Sequence, residues 1–346
     1  MNTIQPRPRP GRIAAMFPAL PRIDRRRALR GGTGALVVLG LLLWWVLPLE
    51  EDSPRGEVTF STGVRSGVYE RYGKLLRTAL ARDVPDLDVT LTPSEGSQQN
   101  VRRVASGSAD FTVAAADAVE KYRLDGRPGA DRLRGCARLY DDYVQLVVPR
   151  GSSVLAADQL RGKRVAVGQV GSGVRLIANR VLRAAGLDPQ RDIEPVSIGI
   201  DTMTSALKGG DIDAFFWSGG LPTNSVRELS EEFDVRFVEL GDLVDALHDQ
   251  GGASRYYRAS VMPADAYPSA QQGTAVSTLA VANLLVTTDR LDPELTERLT
   301  RTVIDSRDHI GGRVHAAQLV DLRTALYTDP LPLHDGARSY YRSVKP

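Results

Sequence analysis

The sequence predicts an α/β protein of two lobes joined by two chain crossings, and three observations carry that expectation. From Gly56 onward, short β-rich runs alternate with amphipathic helical stretches, the pattern of layered α/β architecture on parallel or mixed sheets. The length of 346 residues exceeds one ordinary domain, and a hydrophobic fraction of 42% suffices to build a core. Two β-rich runs, at 144–148 and 276–286, stand where the chain would leave a first lobe and return to it.

Taken in order, residues 57–62 read as a strand, and Val68, Tyr72, Leu75, Leu76, Ala79 and Leu80 then form one apolar helical stripe. A strand at 87–91, a helix at 97–106 with Val101, Val104 and Ala105 inward, and a strand at 111–114 follow. Beyond an irregular polar stretch at 125–131 come two apolar runs, 133–140 and 144–148, the second taken as the crossing strand. Strands at 164–167, 195–198, 212–216 and 235–238 are separated by helices, the clearest at 174–185 and closed by Gly186. After the return crossing, residues 293–306 make a helix with Leu295, Leu299, Val303 and Ile304 inward. The expected organisation is a tail at 1–30, an apolar span at 31–49, a linker at 50–56, a first lobe beginning at 57–143, a second lobe at 144–262, and a return to the first lobe with C-terminal helices at 263–346. Two crossings between similar lobes make a hinge, and the cleft between them closes on a ligand.

Charge is distributed unevenly. Residues 1–30 hold eight Arg against one Asp, so the remaining chain carries 36 basic and 41 acidic groups, a balance of −5 within a total of +2. That body offers no basic face for nucleic acid. Residues 31–49 carry no charge, and as a helix they would reach about 29 Å, close to the thickness of a hydrocarbon core. Arginines upstream and Glu50, Glu51 and Asp52 downstream put the N-terminus in the cytoplasm and the body outside. The same stretch also fits an export signal of twin-arginine type, Arg25, Arg26, Arg27 before the apolar run, although no small-x-small cleavage site follows. A retained membrane anchor and a cleaved signal both remain open, and residues 1–21, with five prolines, read as a disordered tail.

Several catalytic classes are disfavoured. A single cysteine, Cys136, excludes an intramolecular disulfide framework and a multi-thiolate metal site, and the four histidines lack metalloprotease spacing. No GxSxG elbow surrounds Ser66, Ser172 or Ser218. The acidic pairs Asp141 with Asp142 and Asp211 with Asp213 read as solvated charge.

The candidate site lies where strands run through small residues into helices, exposing backbone N–H groups that bind anions. The first such segment is Thr62, Gly63, Val64, Arg65, Ser66, Gly67, Val68, Tyr69, in which Arg65 offers a planar fork for a carboxylate and Ser66 an alternative role as helix cap. In the second, Ser97 and Asn100 follow Gly96, and Ser97 either caps its helix or meets a ligand. The third, Gly168 to Arg175 through Gly171, Ser172 and Gly173, lacks both the Gly-Lys-Ser/Thr of a nucleotide loop and the third glycine of a dinucleotide fingerprint, so no cofactor is expected. In the fourth, Phe215 and Phe216 read as core, Trp217 as a cleft wall with one indole donor, and Gly219 and Gly220 as a flexible turn. Tyr256 and Tyr257 read as a packing pair.

Together with Ala116, Asp117, the run Leu160 to Gly168, the run Asp211 to Phe216 and the closing Leu333 to Tyr341, these segments resemble the TAXI family, the solute receptors of one branch of TRAP transporters. The resemblance spans about residues 57–343. It implies a type II periplasmic-binding-protein fold that closes on a small organic anion or amino acid, glutamate-like in some relatives, and delivers it to TRAP membrane permease subunits. Val64 and Val174 depart from the family pattern and remove contact options at the cleft. The expected mechanism is binding without chemistry: helix N-termini of both lobes meet the anion, Arg65 and Arg175 pair its carboxylate, and Trp217 covers an apolar portion. Two other classes use the same scaffold, a membrane-anchored sensor needing a separate signalling partner and an enzyme needing a positioned nucleophile or metal.

Overall fold

A computed structural model describes residues 54–344. Ten strands form one mixed sheet: β1 Gly56–Ser61, β2 Leu87–Thr92, β3 Phe111–Ala115, β4 Leu133–Pro149, β5 Arg164–Ala166, β6 Glu194–Val196, β7 Ala214–Gly219, β8 Val235–Val238, β9 Tyr257–Met262 and β10 Val276–Thr288. Numbering only the longer helices, α1 is Val68–Asp83, α2 Ser97–Ser106, α3 Ala116–Leu124, α4 Gly173–Ala184, α5 Ile200–Gly209, α6 Asn224–Glu232, α7 Pro293–Asp305 and α8 Asp335–Ser343. The strand order is β2-β1-β3-β10-β4-β7-β5-β6, with β8 pairing on β4 and β9 on β10. Parallel β2-β1-β3 lies on one side and parallel β7-β5-β6 on the other.

Between them run the two longest strands. β4 and β10 pair antiparallel from Leu133 opposite Thr288 to Tyr143 opposite Ala280, with register shifts between Ala282 and Leu284 and between Leu285 and Val286. Each contributes to two separate cores: Leu139 and Tyr140 of β4 and Leu285 of β10 pack with Phe60, Leu76, Phe111 and Leu299, whereas Leu146 and Val147 of β4 and Leu279 of β10 pack with Ile177, Val181, Phe215 and Phe216. A smaller cluster around Val101, Val104 and Val119 belongs to the first side. Two lobes therefore share one sheet, with β4 and β10 as the connecting pair. The helices bury the expected stripes, α1 through Tyr72, Leu75, Leu76, Ala79 and Leu80, and α4 through Ile177, Val181 and Leu182.

The structure differs from the sequence reading in one consequential place. The runs at 133–140 and 144–148 are one strand of 17 residues, not two. Asp141 and Asp142, taken as solvated charge, lie inside it at 6% and 4% exposure. Asp141 is tolerated there because Arg138, at 2.7 Å, and Arg258 both pair with it. Residues 257–262, not expected as a strand, form β9 because Val276 to Val281 offers them a full antiparallel ladder. Among the described residues no helix is long and apolar enough to cross a membrane; the anchor expected at 31–49 and the tail before it lie outside the described residues.

The C-terminal run closes the first lobe. His334 accepts the Gly336 N–H at its Nδ1, 3.1 Å away, capping α8, and Gly336 sits so tightly on α7 that an added Cβ would lie 1.9 Å from the Pro293 carbonyl oxygen. Gly336→Ala should therefore force α8 off α7 and lower the urea unfolding stability by at least about 1–3 kcal/mol, the usual penalty of overpacking; an unchanged midpoint would refute this packing.

Candidate functional site

Four helices start at the same internal cavity. Gly67 and Val68 open α1, Gly96 and Ser97 open α2, Ser172 and Gly173 open α4, and Gly199 and Ile200 open α5, and all eight line it. The first two helices follow strands of the first lobe and the last two follow strands of the second, so unpaired N–H groups and the positive ends of helix dipoles converge from both sides. The turn into α4 is fixed by the Ser172 hydroxyl, which accepts the Arg175 N–H at 3.0 Å. Gly168 precedes it at φ +84°, where an added Cβ would stand 2.9 Å from both Ser172 Oγ and Val174 Cβ, so only glycine suits that corner. Val64, Val174, Ile177, Met203, Trp217 and Val281 supply the apolar wall.

The lobes are closed over this space. Gln98 Nε2 donates to the Ser172 carbonyl at 2.6 Å, the Gln99 N–H to the Gly171 carbonyl at 3.0 Å, and Ser66 bonds Asp201. The cleft they border has a volume of about 60 Å³; at roughly 10–15 Å³ for each water it admits several waters or a small solute.

The charged residues lining the cavity are Glu95, Asp117 and Asp142, with no Lys, Arg or His in the lining among the described residues. Asp117, at the start of α3, is compensated from behind, since its Oδ2 accepts Arg180 Nη1 at 3.1 Å and Tyr257 OH at 2.5 Å. Burial raises the Asp117 pKa, and Arg180 and Tyr257 oppose the rise. Asp142 has no such cation. Its Oδ2 lies 3.4 Å from Tyr69 OH and its Oδ1 has no hydrogen-bond partner, as is also true of Glu95 Oε2. Burial pushes the Asp142 pKa up to about 7; the side chains of Asn283 and Tyr69 oppose the rise, and the Asp141 and Asp117 carboxylates add to it. Tyr69 OH itself donates to Asn283 Oδ1 at 2.5 Å and meets Ser97 Oγ at 3.0 Å, and Ser97 Oγ also accepts the Ala115 N–H at 3.1 Å.

Of the residues singled out in the sequence, Gly63, Gly67, Tyr69, Ser97, Asp117, Ser172, Gly173, Trp217 and Gly219 line this one cavity. The others stand elsewhere. Arg65 is exposed in a hollow with Arg71 and Lys74, and Arg175 turns its Nη1 back onto the Gly168 carbonyl at 3.2 Å, so neither is among the residues lining the cavity. Thr62 and Asn100 are buried beneath it: Thr62 Oγ1 donates to Glu70 Oε2 at 2.5 Å, and Asn100 Nδ2 donates to the Thr62 and Val113 carbonyls at 2.7 and 3.0 Å, tying β1 to β3. Ala116 packs in the first-lobe core, Gly171 offers its carbonyl to Gln99, and Gly220 abuts Ala316 in an adjoining opening with Arg71, Arg227, Arg313 and His315. Neither Ser66 nor Ser97 caps a helix; the residues at those cap positions are Gly67 and Gly96. The Trp217 indole N–H is held by Thr223 Oγ1 at 2.9 Å, leaving the ring as wall only. Asp142 and Glu95 were missed; the available signal was an acidic pair interrupting an apolar β run.

Fold and cavity together define a two-lobed α/β protein with a cleft at the junction of its lobes. The chain belongs to the NMT1-like family, whose model matches residues 60–344. Among solved structures it is similar to the periplasmic aliphatic sulphonate binding protein SsuA from Escherichia coli, at 14% identity and a TM-score of 0.44, with 85% of this chain and 84% of that one covered. It is also similar to the alkanesulfonate-binding protein SsuA from Xanthomonas axonopodis pv. citri bound to MOPS (16%, TM-score 0.41, 85% and 86% covered) and to the substrate binding protein of an amino acid ABC transporter (12%, TM-score 0.45, 75% and 99% covered).

The raised pKa of Asp142 has a definite sign. The folded chain holds that proton more tightly than the unfolded chain, so stability falls as pH climbs from the ordinary aspartate range to about 7 and levels off above, a loss on the order of 4 kcal/mol at 1.36 kcal/mol for each pH unit. Tyr69, Tyr140, Asp141, Asp117 and Glu95 are the titratable groups around it, and a difference between variants removes their shared contribution. Melting curves of ligand-free Asp142→Asn and the unsubstituted chain should nearly coincide at pH 4 and separate by several degrees at pH 8, with the variant higher. An equal difference at both pH values would contradict the assignment.

Proposed function

We propose that this chain is the extracytoplasmic solute-binding component of a membrane transport system, of type II periplasmic-binding-protein kind, which captures a small solute between its lobes and releases it to permease subunits. The observation that supports this most is the cleft itself, bounded by helix N-termini from two lobes that are connected through β4 and β10. Such an arrangement closes on a ligand and opens by bending at the connecting strands. The Arg-rich tail and apolar run before residue 50 support a body held outside the cytoplasmic membrane. The TAXI-like motifs support TRAP-type permease subunits as recipients, and the membrane proteins that co-purify with the full chain distinguish a TRAP-type from an ABC-type partner.

Closure is testable across the mouth of the cleft. Ser66 and Asp201, bonded to each other from opposite lobes, are sites for a pair of engineered spin-labelled cysteines, and the native Cys136 is fully buried and does not compete for label. The separation of the labels should be broad and long without solute and collapse to one short distance when solute binds. An identical distribution in both states would remove the receptor reading.

A further inference from the structure

The receptor reading leaves the chemistry of the solute open, and the cavity constrains it. A plain carboxylate or sulfonate brings negative charge to a space whose lining holds three carboxyl groups and, among the described residues, no cationic side chain. Only Asp117 has a cation, Arg180, and that side chain is spent on it and on Tyr257 OH at 3.0 Å. The two guanidinium groups that the sequence offered for an anion point elsewhere, Arg65 into a hollow with Arg71 and Lys74 and Arg175 onto a backbone carbonyl. What the cavity lacks is a cation for Asp142 and Glu95: Asp142 faces the neutral Asn283 amide and the Tyr69 hydroxyl, and among the described residues neither its Oδ1 nor Glu95 Oε2 completes a hydrogen bond.

A buried acceptor with no donor costs about 1–3 kcal/mol, more when it is charged, so a site that keeps two of them gains when a ligand supplies N–H groups. A protonated amine fits that deficit, having three donors and one positive charge. We infer, resting on the receptor reading, that the solute carries a protonated amine seated on the Asp142 carboxylate with Glu95 beside it. The simplest such solute is an amino-acid-like zwitterion, its negative end directed to the N–H groups that open α1, α2 and α4 and its side chain against Val174, Ile177, Met203 and Trp217. Asp142 sits on β4, in the strand pair that both lobes share, so the amine is placed where both lobes reach it.

The groups acting on Asp142 are Asn283 from β10, Tyr69 from α1, Asp117 from α3, and Tyr140 and Asp141 from its own strand. None of them is a cation, and burial holds its proton up to about pH 7. Amine binding therefore releases that proton under acidic conditions, and affinity should weaken by up to about tenfold for each pH unit below 7.

The test is isothermal titration of the full chain with three sets of compounds built on the skeletons of leucine, glutamine and glutamate: the amino acids, the same skeletons without the amine, and the same skeletons without the α-carboxylate, together with a short alkanesulfonate. Binding confined to amine-bearing compounds supports the inference. So do a loss of at least about tenfold in Asp142→Asn, whose melting temperature shows that it folds, a smaller loss in Glu95→Gln, and a pH dependence between 5.5 and 8 that is present in the unsubstituted chain and flat in Asp142→Asn. Tightest binding by an amine-free carboxylate or by the sulfonate, or equal amine affinity in Asp142→Asn, overturns the inference while leaving the receptor reading standing. Failure of every compound to bind removes the receptor reading, and this inference with it.

Discussion

The antiparallel pairing of β4 with β10 is the constraint on which the rest of this structure depends. These two supply runs of apolar residues to both lobes, whereas of the other strands β3 reaches the second core, and only through Ala115. A strand of 17 residues spans more than 50 Å at about 3.3 Å a residue, enough to cross from one core to the other without a loop. Because the sheet passes through both lobes, the strand ends carrying glycine turns, after β1, β2, β5, β6 and β7, meet around one cavity. The helix N-termini are consequences of that placement, since each helix follows one of these turns or opens beside them.

The electrostatics of the cavity follow from the same pair of strands. Alternation along β4 turns Asp141 and Asp142 to opposite faces. Asp141 finds Arg138 on its own strand and Arg258 on β9, whereas Asp142 meets the hydroxyl of Tyr69 and lines the cavity. One step of pleat thus separates a compensated carboxylate from an uncompensated one. A buried ion pair with one partner removed is strongly destabilising, and the Asp117 carboxylate illustrates the alternative, since Arg180 stacks over Tyr257 at 5.6 Å while both donate to it.

Much of the fold was legible because periodicity is a local signal. The stripe of α1, the glycine-closed α4 and the return strand β10 follow from spacing alone, since 3.6-residue and two-residue repeats distinguish helix from strand over ten residues. The convergence of Gly63, Ser97, Ser172 and Trp217 was also legible, because strand-to-helix turns at the same edge of a sheet gather at one place. The failures share a cause as well. Asp141 and Asp142 were set aside on composition, since acidic residues are rarely buried; their burial depends on Arg258 and Tyr69, which lie 117 and 73 residues away. Arg65 and Arg175 looked suited to an anion because of residue type, but the direction of a long side chain is set by what surrounds it. No local pattern announces that Arg175 folds back on Gly168.

The same orphaned acceptors bear on how the lobes move. When the cleft shuts with nothing inside, Asp142 Oδ1 and Glu95 Oε2 lose water and gain no donor, while the direct bonds between lobes, such as Gln98 to Ser172 and Gln99 to Gly171, replace bonds that water supplied equally well in the open form. Net gains of that second kind are about 1 kcal/mol each, and the desolvation of a charged acceptor is as large or larger, so the empty protein has little reason to stay closed. A solute that brings donors removes the opposing term and leaves the interlobe bonds to act. On the receptor reading, occupancy and closure are then one equilibrium, because the groups that recognise the solute are also the groups that resist closing without it.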